Sequence, residues 1–258
     1  MTPSETPLLE SMKNDLLTLG VRPGGVLLVH SSLRSLGPLP GGAECAIQTL
    51  LAALGKKGTL LMPALSYATV RSSHPVFDAR QTPSCVGGLT EAFRTRPGTL
   101  RSIHPTHSVC GTGRLAGELL SDHERDATPV GPHSPFARLP GVHGQILFLG
   151  CGLRPNTSMH GIEEKVEPPY LFADPLDYQI TRMDGSHTTM RVRRHGFRGW
   201  EQRYDRLESV LAEPDLRRGR VLQADCDLVE SAAMWPAALN ALRGDALYFV
   251  DFTGTPDQ

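Results

Sequence analysis

Residues 25–63 read GVLLVHSSLRSLGPLPGGAECAIQTLLAALGKKGTLLMP, and this stretch decides the fold. Its two ends, residues 25–30 and 59–63, are apolar runs of the length of buried strands. Between them, residues 43–54 carry apolar side chains at helical spacing, and Gly55 ends that segment. A strand, a helix and a second strand in this order predict two parallel strands joined by a right-handed crossover.

The rest of the chain extends this pattern of helices and strands. We predict further helices at residues 7–19, 87–94, 114–120, 204–211 and 228–242, and further strands at residues 108–111, 145–150, 220–224 and 246–250. Residues 178–182 and 188–195 flank an Asp-Gly turn, which predicts an antiparallel hairpin. We therefore expect one α/β domain over residues 1–258, with a central mixed, partly parallel sheet flanked by helices. The small antiparallel hairpin insertion, near residues 178–195, would lie in a subregion of about residues 170–200.

Charge and composition exclude several classes of protein. The 258 residues include 26 basic and 27 acidic side chains and therefore no basic excess, so neither a nucleic-acid surface nor a membrane surface is predicted. No window approaches the roughly 20 apolar residues of a membrane span, and residues 1–20 lack the pattern of a signal peptide. The five cysteines are far apart and form no C-x-x-C pair, which argues against a disulfide framework. We expect a cytoplasmic protein.

Residues 29–33, Val-His-Ser-Ser-Leu, lie where the first predicted strand ends. Ligands of open α/β sheets gather at the carboxyl ends of strands, so the backbone N–H groups and hydroxyls of Ser31 and Ser32 are well placed to bind a cofactor tail. The same residues also suit an ordinary polar turn between a strand and its loop. The pattern by itself leaves both interpretations open.

Two histidines lie three residues apart in the segment 103–108, Ile-His-Pro-Thr-His-Ser. Pro105 favours an extended or turned backbone there. His104, His107 and Ser108 are suited to hold a metal or a polar substrate, but they are also ordinary loop residues. A zinc site needs further ligands of defined geometry, which the sequence does not supply, so no metal is predicted.

The most informative segment is 156–164, Asn-Thr-Ser-Met-His-Gly-Ile-Glu-Glu, which follows a predicted buried strand. Asn156 or Thr157 is suited to cap a helix, and His160 and Glu163 would then share one helix face. A carboxylate beside an imidazole fixes its tautomer and raises its basicity, as a general base near neutral pH requires. The alternative is a surface histidine with an ordinary ion pair along a helix.

Signatures of several other enzyme classes are absent from the sequence. It has no phosphate-binding loop, dinucleotide-binding, nucleophile-elbow or zincin motif. Cys110 and Cys151 lie at or near predicted strand ends, so a cysteine nucleophile paired with His160 or His107 stays open. Buried thiols in strands are usually inert, which argues against this alternative.

Taken in order along the chain, these segments resemble the aminoglycoside 3-N-acetyltransferase family, which is distinct from the GNAT acetyltransferases. The resemblance covers roughly residues 17–170 and rests on the order and spacing of its motifs rather than on any one of them. Those motifs are residues 29–33, Gly37, 41–43, 58–60, 62–63, 104–108, 131–132, 134–136, Leu139, 149–150, 156–157 and 160–163.

The resemblance implies an α/β fold peculiar to these enzymes and acetyl-CoA as the cosubstrate. His160 would take the proton from the attacking amine, and Glu163 would orient His160. The amine would attack the thioester directly, without an acyl-enzyme and without a metal, and the loop at residues 31–32 would stabilise the oxyanion. The residues implied near the pantetheine arm are Ser31, Ser32, Leu33, His104, Thr106, His107 and Ser108.

The acceptor implied by the resemblance is the 3-amino group of a 2-deoxystreptamine aminoglycoside, which would make the protein an antibiotic-resistance enzyme. Aminoglycosides are polycations, so carboxylates are expected in the cleft. The candidate carboxylates are Glu163, Glu164, Glu167, Asp174 and Asp177. We expect three side chains around the cleft to bind the substrate, namely Glu164, Glu167 and Tyr67.

Other functions stay compatible with the sequence. Residues 163–170 depart from the resistance enzymes and the basic run 191–195 dilutes any acidic excess, which is compatible with a different primary amine as acceptor. A metal-dependent hydrolase would use His104, His107 and His160, and a non-catalytic protein would bind CoA or another small molecule without releasing free thiol. The expected partners are a small-molecule amine and CoA, and the expected state is a monomer or a homodimer.

Overall fold

The computed structural model describes residues 5–254. Its α-helices are α1 (Glu5–Leu19), α2 (Gly42–Leu54), α3 (Gly88–Thr95), α4 (Ala116–Leu120), α5 (Pro135–Arg138), α6 (Ser158–Glu163) and α7 (Ser231–Gly244). Its strands are β1 (Val26–Ser31), β2 (Thr59–Pro63), β3 (Val76–Asp78), β4 (Leu100–Arg101), β5 (Val109–Gly113), β6 (Gln145–Leu149), β7 (Phe172–Thr181), β8 (His187–His195), β9 (Trp200–Gln202), β10 (Leu216–Val221), β11 (Ala224–Glu230) and β12 (Val250–Phe252). Short 3-10 helices lie at Leu33–Leu36, His123–Arg125, Pro140–Val142 and Tyr204–Ser209. Within residues 5–254, every helix is too short or too polar to cross a membrane.

A seven-stranded mixed sheet forms the centre of the structure, in the order β10-β11-β6-β1-β2-β5-β4. β1 pairs in parallel with β2 and with β6, whereas β5 is antiparallel to β2 and β11 is antiparallel to β6. α2 connects β1 to β2, so the predicted strand-helix-strand unit and the mixed, partly parallel sheet are confirmed. The carboxyl ends of three neighbouring parallel strands therefore lie at one edge of this sheet, where ligands of α/β folds bind.

The apolar runs of the parallel strands are continuous because both faces of the sheet are covered. In β1, Leu27 and Val29 pack in a core that includes side chains of α1, α2 and α3. Val26 and Leu28, which alternate with them, pack in a second core that includes side chains of α6 and α7. Burial of each such side chain contributes roughly 1.5–3 kcal/mol, so β1 is anchored from both sides up to its carboxyl end.

The predicted hairpin is present and is longer than predicted. β7 and β8 pair along most of their length, and residues 182–186 form the turn between them. β3 adds to β7 in parallel, and this second sheet has a small core of its own that includes Phe77, Tyr178 and Val192. Tyr178 and His195 line the same cavity as the end of β1, so the second sheet forms one wall of that cavity.

The region after residue 204 differs from the prediction. The expected strand at 220–224 and the expected helix start at residue 228 are wrong, because β10 and β11 form an antiparallel hairpin and α7 begins at Ser231. Leu222 makes the turn between these strands with φ 53°. Buried and exposed side chains alternate along most of β11, as in a strand. Over a segment this short, however, the spacing of apolar residues in the sequence does not distinguish a strand from the start of a helix. Residues 204–211, predicted as a helix, contain a 3-10 helix instead of an α-helix.

Candidate functional site

A cavity of about 650 Å³ lies at the edge of the central sheet where β1 and β2 end. His30 and Ser31 of β1 and Pro63 of β2 line it, together with His160 of α6. The cavity therefore occupies the position at which open α/β sheets bind their ligands. Its remaining polar or aromatic lining includes Tyr67, Arg71, Thr106, His107, Arg154, Asn156, Tyr178, Arg194, His195, Phe197 and Tyr204.

The short helix α6 presents His160 to this cavity. Asn156 Oδ1 accepts a hydrogen bond from the Ser158 N–H at 3.2 Å, which satisfies one donor of the first turn, whereas Thr157, at the N-cap itself, makes no side-chain capping bond. Gly161 packs so closely against α7 that a Cβ atom there would lie 2.7 Å from the Trp235 ring. α6 is thus pressed onto the core, and His160 is held at the cavity by both contacts.

Glu163 lies directly behind His160, as their spacing predicted. Glu163 Oε2 is 3.1 Å from His160 Nδ1, and the glutamate side chain is 0% exposed. The Tyr204 hydroxyl lies 2.8 Å from Glu163 Oε2 and 2.9 Å from His160 Nδ1. The Tyr170 hydroxyl donates to Glu163 Oε1 at 2.9 Å. Because both carboxylate oxygens have donors, the buried charge of Glu163 is compensated.

These contacts fix the tautomer of His160. Tyr204 has one hydroxyl proton and donates it to Glu163, which as a carboxylate has only acceptor sites. His160 Nδ1 contacts both Glu163 Oε2 and the Tyr204 oxygen, and neither has a proton left to donate to it. The proton of these contacts must therefore lie on His160 Nδ1 and point to Glu163 or to the Tyr204 oxygen. The lone pair of the neutral ring is consequently on Nε2, the nitrogen on the other side of the ring.

The two tyrosines stay protonated in this environment. Burial raises the pKa of Tyr204 well above its usual value, and the neighbouring Glu163 carboxylate raises it further. The same two causes raise the pKa of Tyr170. Both hydroxyls therefore remain donors to Glu163 throughout the physiological pH range.

A second imidazole–carboxylate pair lies beside the first. His195 Nε2 is 2.8 Å from Glu164 Oε1, and the His195 ring centroid is 4.7 Å from that of His160. Glu164 also accepts hydrogen bonds from the Thr128 hydroxyl at 2.6 Å and from the Val130 N–H at 2.8 Å. Because Nε2 of His195 donates to a carboxylate, its Nδ1 carries the lone pair. That atom is buried without a hydrogen-bond partner among residues 5–254.

His107 is the third imidazole of this cluster. Its Nδ1 lies 2.9 Å from the Thr106 hydroxyl, and its backbone N–H donates to His104 Nδ1 at 2.9 Å. One ring nitrogen from each of His107, His160 and His195 lies within 4.8 Å of the other two. Burial, and then the charge of neighbouring imidazoles, lowers the pKa of His107 and His195 well below the usual range, so both rings are neutral at pH 7.

The structure brings five of the predicted site residues together at the cavity. They are Ser31, Tyr67, Thr106, His107 and His160. Tyr67 is 54% exposed, whereas the other four are buried or half-buried. The segments 29–33, 103–108 and 156–164, which are far apart in the sequence, therefore meet at one place.

The rest of the loop after β1 is occupied with structural contacts. The Ser32 N–H donates to the Leu149 carbonyl at 2.9 Å, and its side-chain oxygen accepts from the Ser35 hydroxyl at 2.9 Å. Leu33 begins a 3-10 helix and packs against the core. Neither Ser32 nor Leu33 is part of the cavity lining.

Two of the predicted residues in segment 103–108 also lie behind the cavity lining. Ser108 is fully buried, where its hydroxyl donates to the Ala64 carbonyl at 2.8 Å and accepts from Arg101 Nε at 2.9 Å. His104 Nδ1 accepts the backbone N–H groups of Thr106 and of the following residue. These contacts shape the segment that carries His107.

The carboxylates that were expected in the cleft lie elsewhere. Glu164 holds His195, and Glu167 forms an ion pair with Arg193 at 2.6 Å. No aspartate or glutamate of residues 5–254 belongs to the cavity lining. The charged side chains of that lining are Arg71, Arg154 and Arg194.

Three residues of this site are not identifiable from the sequence alone. They are His195, which lies in the basic stretch 191–195, and the tyrosines Tyr170 and Tyr204. His195 lies 31 positions from the carboxylate that it contacts, and Tyr204 lies 41 positions from Glu163. A histidine at the end of a predicted strand is a weak signal, and the sequence holds no signal for the tyrosines.

The geometry argues against the cysteine nucleophile. Burial raises the pKa of Cys110 to about 12, and Cys110 lies within β5 rather than in the cavity lining. Cys151 does line the cavity, but burial raises its pKa to about 12 as well. A thiolate is the reactive form of cysteine, and neither residue supplies one near pH 7.

The chain is similar in sequence to known acetyltransferases. The family model described as aminoglycoside 3-N-acetyltransferase matches residues 28–243. Aminoglycoside N(3)-acetyltransferase IV of Salmonella sp is 33% identical over 246 residues, which cover 91% of this chain and 87% of that protein. The aminoglycoside N(3')-acetyltransferase-like protein YokD of Bacillus subtilis is 27% identical over 85% of this chain and 86% of its own length.

Solved structures show the same likeness in three dimensions. The crystal structure of aminoglycoside acetyltransferase AAC(3)-IVa in complex with a gentamicin has a TM-score of 0.78 and 33% identity, with coverage of 95% of this chain and 90% of that chain. AAC-IIIb in its binary complex with CoASH has a TM-score of 0.77 and 25% identity, with coverage of 97% and 98%.

Proposed function

Because the chain belongs to the aminoglycoside 3-N-acetyltransferase family, we propose that it transfers the acetyl group of acetyl-CoA to the 3-amino group of a 2-deoxystreptamine aminoglycoside. The observation that carries this proposal is the buried pair of His160 and Glu163 at the cavity. Because Nδ1 of His160 faces Glu163, the pair presents the other ring nitrogen, Nε2, to a ligand in the cavity. Such a base is what an amine acceptor needs.

His160 acts as the general base in this reaction. An alkyl ammonium has no free electron pair until it loses a proton, so it does not attack a thioester at neutral pH without a base. His160 Nε2 receives that proton, and the imidazolium is stabilised by the Glu163 carboxylate behind it. The neutral amine then attacks the thioester carbonyl directly. The C–S bond breaks as the C–N bond of the amide forms, and the second proton that the nitrogen gives up neutralises the departing thiolate, so that CoA is released as the thiol.

The end of β1 contributes to the binding of the thioester. Ser31 lines the cavity, whereas the Ser32 N–H is already donated to Leu149. Ser31 is therefore the group of this loop that stabilises the oxyanion, and Thr106 and His107 contact the pantetheine arm from the other segment. Ser32, Leu33, His104 and Ser108 act on the cofactor by holding these two segments in place.

The charge of the cavity lining supports CoA as the cosubstrate. Arg71, Arg154 and Arg194 line the cavity, and guanidinium groups bind phosphate through paired hydrogen bonds. Arg154 pairs with Glu201 at 2.9 Å, and both side chains are about half exposed. A phosphate bound by Arg154 therefore remains partly in solvent. We assign these side chains to the phosphate groups of CoA.

The acceptor binds on the side of Tyr67, the most exposed of the predicted site residues. Glu164 contributes through His195, whereas the exposed Glu167, which pairs with Arg193 outside the cavity lining, binds an acceptor ammonium only where the acceptor extends beyond the cavity. The absence of carboxylates from the cavity lining of residues 5–254 favours, as a second candidate, an acceptor with fewer positive charges.

The experiment follows thiol release with a chromogenic disulfide after mixing protein, acetyl-CoA and an amine. The panel contains aminoglycosides with a free 3-amino group and matched compounds in which that amine is absent or acetylated. Release that requires the free 3-amino group supports the proposal. Release with simple primary amines alone supports the second candidate, and no release with any amine contradicts both.

A further inference from the structure

Three imidazoles from three separate elements converge in the cavity. His107 lies in the loop before β5, His160 lies in α6 and His195 ends β8. One ring nitrogen of each lies within 4.8 Å of the other two. We propose that these three residues form a binding site for one Zn²⁺ ion, with its fourth coordination position open to the cavity.

The hydrogen bonds of the three rings leave one nitrogen of each for the metal. His160 uses Nδ1 toward Glu163, and His195 uses Nε2 toward Glu164. His107 uses Nδ1 toward the hydroxyl of the preceding threonine. Histidine ligands of zinc generally donate their second nitrogen to a carboxylate or another acceptor, which fixes the tautomer and turns the free nitrogen toward the metal. The outer contacts of a zinc site are therefore already in place.

The free nitrogen of His195 is an independent indication of a missing ligand. The His195 side chain is 6% exposed, and its Nδ1 has no hydrogen-bond partner among residues 5–254. A buried polar atom without a partner costs roughly 1–3 kcal/mol. A cation bound at this nitrogen removes that cost.

The donor set and its spacing select the metal. Three neutral imidazoles suit zinc, whereas magnesium and calcium prefer oxygen ligands. Zinc bonds of about 2.0–2.1 Å in a tetrahedron place the nitrogens about 3.4 Å apart, so small side-chain rotations close the present separations. His104 is outside this set because its Nδ1 accepts two backbone N–H groups.

Zinc at this site would also inhibit the transferase, a consequence that rests on the proposed function. The metal occupies the His160 lone pair, which is the lone pair assigned to the general base. We therefore expect Zn²⁺ to compete with the acceptor amine and a chelator to restore turnover. Direct measurement of bound metal does not depend on this role of His160.

The test is equilibrium dialysis of tag-free protein against Zn²⁺, with elemental analysis of the bound metal. We expect one Zn²⁺ per chain in the wild type. The affinity for Zn²⁺ should be lower by more than about 100-fold in His195→Ala, which removes a ligand. It should be lower by about 10- to 100-fold in Glu164→Gln, which keeps all three ligands but weakens the outer contact of one. His187→Ala, a change of an exposed histidine on the turn side of β8, is the matched control and retains the site.

Thermal unfolding gives a second readout of the same site. Zn²⁺ that binds only the folded chain raises Tm, and the increase should be present in the wild type and in His187→Ala but absent in His195→Ala. A wild type that binds no Zn²⁺ at micromolar concentration overturns the proposal. So does binding that His195→Ala leaves unchanged, because the metal then lies elsewhere. Either result leaves the thiol-release experiment unaffected.

Discussion

The Tyr204 hydroxyl lies 2.8 Å from Glu163 Oε2, in the fully buried space behind the imidazole of His160. This contact joins the 3-10 helix Tyr204–Ser209 to α6 across 41 positions of sequence. It gives Glu163 a donor that does not titrate in the physiological range, because burial and the carboxylate itself raise the pKa of Tyr204. Glu163 is therefore held in place by a hydroxyl donor and keeps the His160 proton on Nδ1.

Tyr204→Phe is expected to lower both stability and turnover. The change removes the donor to Glu163 Oε2 and the contact with His160 Nδ1, and a hydrogen bond to a charged group contributes about 1.5–3 kcal/mol. We expect a loss of that size in the free energy of unfolding, and about a tenfold loss in kcat because His160 is less well oriented. Urea unfolding and steady-state kinetics measure the two effects.

Tyr170→Phe is the matched control for this prediction. Its hydroxyl donates to the other oxygen of Glu163, Oε1, at 2.9 Å, and it makes no hydrogen bond to the imidazole in the described structure. A similar loss of stability with a smaller loss of kcat is expected. Equal losses of kcat in the two variants would show that the contact between Tyr204 and His160 has no separate role.

His160→Ala is expected to lower kcat by roughly 100- to 10,000-fold, the range that general base catalysis contributes. Binding of CoA, measured by calorimetry, should change little, because the proposed phosphate and pantetheine contacts lie on other residues. His187→Ala removes an exposed histidine at the hairpin and should keep full activity. Unchanged turnover in His160→Ala would refute its assignment as the base.

The sequence predicted the elements that are local in the chain. The strand-helix-strand unit at residues 25–63 could be predicted because the spacing of its apolar residues changes from a short continuous run to helical spacing and back. His160 and Glu163 were readable because residues three apart on a helix are neighbours in any fold. The contacts of His195 and Tyr204 were not readable, because they depend on where two distant segments pack.

The sequence also did not show which polar side chains are already satisfied. Ser108 and Glu164 look like free functional groups in the sequence, yet the Ala64 carbonyl accepts the hydroxyl of Ser108 and the Val130 N–H donates to Glu164. Whether a polar residue faces a ligand or supports its neighbours is decided by tertiary contacts. Residue type and spacing are the same in both cases.

Ser108→Ala and Ser31→Ala are expected to separate these two roles. Ser108 is buried, and its hydroxyl bonds the Ala64 carbonyl and the Arg101 guanidinium. Its loss should cost about 1–3 kcal/mol of stability and leave KM for acetyl-CoA nearly unchanged. Ser31 lines the cavity, so its loss should lower kcat/KM for acetyl-CoA with little change in stability. The reverse pattern would place the cofactor at Ser108.

His123 is expected to make folding sensitive to acid. Its ring is 0% exposed between the Ser102 hydroxyl at 2.9 Å and the Pro129 carbonyl at 3.2 Å, and burial lowers its pKa from 6.5 to about 3. Between these two pH values His123 binds a proton in the unfolded chain but not in the folded chain. The free energy of unfolding therefore falls as pH drops below about 6.5, by about 1.4 kcal/mol per pH unit for each such group.

His123→Gln removes this titration while keeping a side chain that can donate and accept hydrogen bonds. His30, whose pKa is lowered to about 3 by burial and then by the charge of His160, still titrates in the variant. The wild type and His123→Gln should therefore both lose stability between pH 6.5 and pH 5, but the slope of the variant should be smaller by one proton. Urea unfolding at several pH values measures both slopes. Equal slopes would mean that His123 is protonated to the same extent in the folded and unfolded chains, which is incompatible with the neutral, buried ring described here.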